Sequence, residues 1–80
     1  MTDTIAAVEK AFQILEVMSA AGAPMTLMDI TDRTGLPKPT VFRMLRTLVE
    51  LGFVDQDQLR KRYDLTLKMY NLGRGNGYDD

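Results

Sequence analysis

The 80-residue sequence predicts one small domain of the mainly α class, a winged helix-turn-helix with a three-helix core and a β-hairpin as its wing. Three observations support this prediction. A glycine and a proline separate two short amphipathic segments in the middle of the chain. A longer amphipathic segment precedes them. Two short alternating segments, with a charged stretch between them, follow.

The first helix is expected to begin at a Thr4 cap and to run to about Ala21, because residues 22–24 break the pattern. Its apolar stripe is wider than a small core usually needs. The residues of the stripe are Ile5, Val8, Phe12, Leu15 and Met18, widened by Ala11, Ile14 and Val17. Two interpretations stay open: the whole stripe packs over the next two helices, or part of it faces a second copy of the chain.

Residues 25–51 predict the helix-turn-helix itself. Its first helix is expected over about residues 27–34, with Thr26 as N-cap and Asp29 completing a capping box. A short extended stretch at residues 25–26 leads into it. Gly35 can take the positive φ that ends a helix, and Pro37 prevents simple continuation. The second helix is expected over about residues 38–51 and ends at Gly52. The residues expected on its inner side are Val41, Leu45 and Leu48.

The outer face of this second helix carries the candidate DNA contacts. With about 100° per residue, an inward Val41 turns a basic surface outward. No acid occurs between Gly35 and Val49. Basic residues in a first turn oppose the helix dipole, but they suit phosphate binding. A solvated face is the alternative, and the helix-turn-helix context favours DNA contact. The candidate DNA-binding residues are Thr26, at the start of the first of the two helices, and Lys38, Pro39, Thr40, Phe42, Arg43, Arg46 and Thr47 on the second.

The wing is predicted from strands at about residues 53–56 and 63–67, the second with Tyr63, Leu65 and Leu67 on one face. The stretch between them, residues 57–62, lacks the glycine of a tight hairpin, so a loop of several residues is expected. Its basic side chains can reach a flanking phosphate or the minor groove, or can simply be solvated. These are Arg60, Lys61 and Arg62.

The C-terminal part is expected to hold one helical turn at residues 68–72, anchored to the core by Tyr70. The domain is expected to span residues 1–73. Residues 74–80 are rich in glycine and polar, which predicts a flexible tail or the start of a linker.

Composition narrows the function classes. The net charge is −1, which counts mildly against nucleic-acid binding, although the bases gather in the middle helix and the wing. Cysteine and histidine are both absent, so the commonest nucleophiles, bases and transition-metal ligands are missing. We therefore expect no enzyme and no cofactor. No apolar run approaches the ~18 residues of a membrane span, and a cytoplasmic protein is expected.

Several motifs together resemble the DNA-binding domain of the IclR family of bacterial transcription regulators. The resemblance runs from about Thr4 to Gly73 and touches every predicted element in order. The matching stretches are residues 8–11, 14–15, 23–27, 34–38, 40–45, 48–54, 63–65 and 72–73.

The resemblance implies a module that binds double-stranded operator DNA as a homodimer, with its third helix in the major groove and its wing on flanking backbone. It also implies a C-terminal domain, absent from these residues, that binds a small-molecule effector in a repressor or an activator. Pro39 and Phe42 depart from the serine and the histidine or other polar residue usual in the family, which leaves the operator sequence open. Arg43 is the best candidate for bidentate pairing with guanine. The alternative function is a winged helix that binds proteins without DNA.

Overall fold

The structure, a computed structural model, describes residues 3–75. Its fold is the predicted winged helix-turn-helix, with a fourth helix after the wing. The elements are α1 (Ala6–Ala21), β1 (Met25–Thr26), α2 (Leu27–Thr34), α3 (Lys38–Leu51), β2 (Val54–Asp57), β3 (Arg62–Leu65) and α4 (Leu67–Arg74). Within residues 3–75, no helix combines the length and the apolar character that crossing a membrane requires.

The three strands form one antiparallel sheet in the order β1-β3-β2. The extended stretch predicted before α2 is confirmed as β1, which sets Met25 opposite Tyr63 and Thr26 opposite Arg62. On the other side of β3, the pairing with β2 ends where Asp57 lies opposite Arg62. The sheet therefore joins the start of the helix-turn-helix to the wing.

The core forms where α1, α2, α3 and the sheet meet. The inward orientation predicted for α3 is confirmed, because Val41, Leu45 and Leu48 are all buried. The remaining buried apolar residues are Ile14, Leu15, Met18, Met25, Ile30, Val54 and Tyr63. Burial raises the pKa of the Tyr63 phenol above its ordinary value of 10.0.

The start of α1 differs from the prediction. Ile5, not Thr4, occupies the N-cap and makes no side-chain cap bond. The Thr4 hydroxyl instead donates a 2.7 Å hydrogen bond to Oε2 of Glu9. The apolar stripe is also only partly covered, since Ile5, Val8 and Phe12 are 68%, 53% and 52% exposed. The whole stripe therefore does not pack within one chain.

The end of the wing also differs from the prediction. Strand β3 ends at Leu65, because the Thr66 hydroxyl accepts a 3.3 Å hydrogen bond from the Met69 N–H and so caps α4. Leu67 consequently lies in a helix. Helix α4 is longer than the predicted single turn and includes Arg74. Tyr70 is 60% exposed, so it does not anchor α4 to the core; Met69 packs there instead. Residues 76–80 of the predicted tail lie outside the described part of the chain.

Candidate nucleic-acid interface

Helix α2 and the turn that follows it set the direction of α3. The capping box predicted at Thr26 is present: its Oγ1 accepts from the Asp29 N–H at 3.0 Å, and its own N–H donates to Asp29 Oδ2 at 3.2 Å. At the other end, Gly35 has a φ of 75°, and its N–H donates to the Thr31 carbonyl at 2.9 Å. Thr26 thus serves first to hold α2, and its hydroxyl hydrogen stays free to donate.

The first turn of α3 is exposed and basic. Pro37 is the N-cap residue, with no side-chain cap bond and no acid in the turn that follows. Lys38 and Pro39 are both exposed there. Because prolines occupy the N-cap and the first turn, this helix begins without the acidic or hydroxyl side chain that usually covers its N–H groups.

Two recesses border the outer face of α3, and Arg43 and Thr47 line both. The α1 recess is lined by Ala7, Lys10, Thr40, Arg43, Met44 and Thr47. The other recess is lined by Phe42, Arg43, Arg46, Thr47 and Glu50. The structure therefore brings together five of the predicted candidates on α3 and puts Arg43 at their centre. The Thr47 hydroxyl is used within the helix, where it donates to the Arg43 carbonyl at 3.1 Å.

The cations of the chain divide into those with and those without a protein partner. Of the ten lysines and arginines, Arg60 pairs with Asp57, Lys68 bonds to the Leu51 carbonyl and Arg74 lies over Tyr70. Within residues 3–75, the side chains of the others make no hydrogen bond or ion pair with protein groups. They are Lys10, Arg33, Lys38, Arg43, Arg46, Lys61 and Arg62. Every basic residue of α3 is thus available to an outside anion.

The wing tip is built around Asp57. Its Oδ1 accepts from the N–H groups of Leu59 and Arg60 at 3.1 and 3.2 Å, and its Oδ2 lies 3.3 Å from Arg60 Nη1. The Arg60 N–H is the main reason why the pKa of the Asp57 carboxyl lies below its ordinary value of 3.8. Lys61 follows in a left-handed conformation with φ of 57°. The expected loop of several residues is present, but within it the Arg60 guanidinium already pairs with the Asp57 carboxylate.

The outer face of the wing is more acidic than the sequence suggested. Asp55 lies directly opposite Asp64 in the β2–β3 pairing, and Asp57 lies opposite Arg62. These three carboxylates line one recess together with Arg60 and Arg62. Of the three predicted wing contacts, Lys61 is therefore the one that does not line this acidic recess.

Lys10 borders this face, although the sequence analysis did not include it among the candidates. It comes from α1, far along the chain from the other candidates, yet it lines the same recess as Thr40 and Arg43. The sequence offered one faint signal, since Lys10 stands alone as the basic residue of that helix.

Comparison with known proteins gives a consistent answer. A family model described as the IclR helix-turn-helix domain matches residues 7–58. The chain is 34% identical over 71 residues to the HTH-type transcriptional regulator KdgR of Escherichia coli strain K12, covering 89% of this chain and 27% of that protein. It is 36% identical over 73 residues to the glycerol operon regulatory protein of Streptomyces coelicolor, covering 91% of this chain and 29% of that protein.

Solved structures share the fold. An IclR family transcriptional regulator from Brucella abortus superposes with a TM-score of 0.83 at 33% identity, over 91% of this chain and 28% of that one. A regulator of this type from Alicyclobacillus acidocaldarius superposes with a TM-score of 0.81, also at 33% identity, over 90% of this chain and 29% of that one. The chain thus spans less than a third of the length of these relatives.

Proposed function

The chain belongs to the IclR family and is the helix-turn-helix DNA-binding module of an IclR-type transcriptional regulator; we propose that it reads operator DNA with α3 in the major groove and the wing on flanking backbone. One observation carries this proposal. Lys38, Arg43 and Arg46 are all exposed on α3, and none of their side chains has a hydrogen-bond or ion-pair partner within residues 3–75. The B-DNA major groove, about 12 Å wide, admits a helix of this kind.

The contacts divide by chemistry. Arg43 is assigned to a base edge, because it lies at the centre of the face and a guanidinium can pair bidentately with guanine O6 and N7. Lys38 and Thr40, at the start of α3, are assigned to phosphates. Phe42 and Pro39 offer apolar contact, for instance with a thymine methyl group. Arg46 extends the basic face by one turn, toward Glu50.

The wing is assigned to the flanking backbone mainly through Lys61. Arg60 can join only by exchanging Asp57 for a phosphate, because its guanidinium lies 3.3 Å from that carboxylate. Arg62 lies among three aspartates, which reduces the local positive potential. The wing thus adds less to the binding than its three basic residues suggest.

We also propose that the module acts as a homodimer. Helix α1 leaves Ile5, Val8 and Phe12 more than half exposed along one side, and a second copy of the chain would cover them. Two-fold pairing is the usual way in which helix-turn-helix proteins match two half-sites one helical turn apart. The effector response, whether in repression or activation, is assigned to further sequence of the kind that the longer relatives contain. The bacterial cytoplasm, where the DNA lies, is the proposed location.

A salt-dependent titration tests the DNA-binding proposal. The protein is titrated with a random-sequence duplex of about two helical turns, and the affinity is measured over a range of salt concentrations. We expect association at low salt and a linear fall of log K with log salt, because bound cations displace counterions. A variant with glutamine at Lys38, Arg43 and Arg46 is the control and should lose most of the slope. Failure of the parent protein to bind duplex at low salt would favour the protein-binding alternative.

A further inference from the structure

We infer that the α1 recess seats a backbone phosphate of the DNA, so that Lys10 on α1 is a DNA contact in addition to α3 and the wing. The inference rests on the proposed DNA binding and extends its footprint to a helix outside the helix-turn-helix. The ligand is a phosphodiester monoanion, and two groups of this recess suit it, an ammonium and a hydroxyl, while the neighbouring Arg43, assigned to a base edge, adds positive potential.

The first of these groups is the Lys10 ammonium. Lys10 is half-buried beside α3, and within residues 3–75 its ammonium forms no ion pair or hydrogen bond. The nearest acid along the chain, Glu9, is occupied by the Thr4 hydroxyl. Because this ammonium has no protein partner, it can form a charge-assisted hydrogen bond with an outside anion without breaking one inside the protein.

The second group is Thr40. Each of the other described threonines makes a side-chain hydrogen bond within the chain: Thr4, Thr26, Thr31, Thr34, Thr47 and Thr66. Among the threonines of residues 3–75, Thr40 alone has a side chain without such a partner. A threonine inside a helix usually donates back to the carbonyl four residues earlier, but Thr40 stands in the first turn, where the Pro37 carbonyl accepts from the Val41 N–H at 3.0 Å.

The charged residues that line it distinguish the α1 recess from the other two recesses described above. The second recess on α3 includes Glu50, and the recess on the wing includes Asp55, Asp57 and Asp64. The residues lining the α1 recess include Lys10 and Arg43 and no acid. An anion therefore meets attraction without like-charge repulsion there.

The proposed dimer would leave this recess open. Lys10 lies two residues from both Val8 and Phe12, which places it about 200° around the helix from the exposed apolar stripe. A second copy that covers the stripe would thus pack on one side of α1, while the other side remains available to DNA. A phosphate held beside Arg43 would also fix how α3 sits in the groove.

Paired substitutions in the same salt series test this inference. Lys10→Ala should flatten the slope of log K against log salt by about 0.9 per bound protomer, and Lys10→Arg should restore it. Thr40→Val, which removes the hydroxyl with little change of shape, should weaken binding on the order of tenfold, and Thr40→Ser should restore it. Arg74→Gln removes a cation from α4 and serves as the control, with no change in slope. The thermal midpoint of each variant confirms that it is folded.

The outcomes separate the two proposals. If the parent protein does not bind duplex at low salt, the DNA-binding proposal itself fails. If it binds with a steep slope, and Lys10→Ala binds identically, the recess holds no phosphate while the α3 interface stands. A second series titrates inorganic phosphate into the parent and into Lys10→Ala without DNA. Phosphate binding that is lost in Lys10→Ala, together with a DNA salt slope that Lys10→Ala leaves unchanged, would assign the recess to free phosphate and overturn the backbone assignment.

Discussion

Lys68 in the first turn of α4 binds the C-terminal end of α3: its Nζ donates a 2.7 Å hydrogen bond to the carbonyl oxygen of Leu51. The same ammonium lies 4.7 Å from the centre of the Phe53 ring. Beside it, the Thr66 hydroxyl donates to the Gly52 carbonyl at 2.7 Å. The end of a helix carries partial negative charge and unpaired carbonyls, so a cation here stabilises α3. The start of α4 is thereby fixed to the end of α3.

Replacing Lys68 with methionine should lower stability. The variant loses the charge-assisted hydrogen bond and the contact with Phe53, which together contribute about 1 kcal/mol at an exposed site. For a domain of this size, that corresponds to a fall in Tm of about 4–8 °C. Thermal unfolding followed by circular dichroism measures it. Lys61→Met, which removes a wing cation without a protein partner, is the control and should leave Tm unchanged. Equal Tm values for both variants would mean that Lys68 does not stabilise α3.

A pair of glycine substitutions separates backbone conformation from packing. Gly35 has a φ of 75°, and nothing lies within 4 Å of the position that an alanine methyl group would take. Gly35→Ala therefore costs only the free energy of the left-handed backbone, about 1–2 kcal/mol. Gly73 also has open space but lies in α4 without a positive φ, so Gly73→Ala should stabilise by about 0.5–1 kcal/mol. Urea midpoints measure both changes. A destabilising Gly73→Ala, or a neutral Gly35→Ala, would contradict these backbone assignments.

Arg43→Ala should reduce specificity at one position of the site. The loss is expected to be about 1–3 kcal/mol for the preferred sequence and small for a duplex changed at the contacted base pair. Binding to a set of single-base variants of a selected site measures this. Lys38→Ala is the comparison, because loss of a phosphate contact should weaken all sequences alike. A uniform loss with Arg43→Ala would assign that residue to the backbone as well.

The order of the wing tip should depend on pH through Asp57. Hydrogen bonds from the Arg60 and Leu59 N–H groups favour the carboxylate, so its pKa in the folded chain lies below 3.8. The stabilisation is therefore present above that ordinary value and is lost as the pH falls through the lowered pKa. Amide shifts of Leu59 and Arg60, followed by NMR, should titrate together with a midpoint below 3.8. Asp57→Asn should abolish the transition; its persistence would assign the titration to another group.

Phe12→Lys should weaken self-association. The substitution places a charge in the middle of the exposed stripe of α1, which the proposed dimer would have to bury at considerable cost. Sedimentation equilibrium over a concentration series measures the effect. Gln13→Lys, on a neighbouring exposed position of the same helix, is the charge-matched control and should retain the parent's association. If the parent protein stays monomeric at every concentration, with and without duplex, the stripe is not a dimer surface.

The sequence predicted the helix-turn-helix closely because its signals are local. The capping box at Thr26 and Asp29 spans one helical turn, and the Gly35 conformation depends on a single residue's lack of a side chain. The inner face of α3 follows from helical periodicity alone. Such signals act within a few residues, so they can be found without knowledge of the rest of the chain.

The predictions that failed concern residues for which more than one partner or environment was possible. Thr66 was expected in a strand, but its hydroxyl caps α4 and also bonds to Gly52. Tyr70 was expected in the core, yet the longer α4 directs Met69 there instead. Thr4 was expected as a cap, and Glu9 takes its hydroxyl. In each case the residue could satisfy two roles, and the sequence pattern did not distinguish them.

By itself, the sequence determined the helix-turn-helix, the outward basic face of α3 and the position of the wing, because capping, periodicity and turn chemistry operate over short separations. Tertiary structure alone decided that Lys10 lines the same recess as Thr40, that Asp55 lies opposite Asp64 and that Ile5, Val8 and Phe12 stay uncovered. These relationships follow from how the packed core orients whole helices and strands. A side chain's neighbours across such a junction are set by that packing and not by its place in the chain.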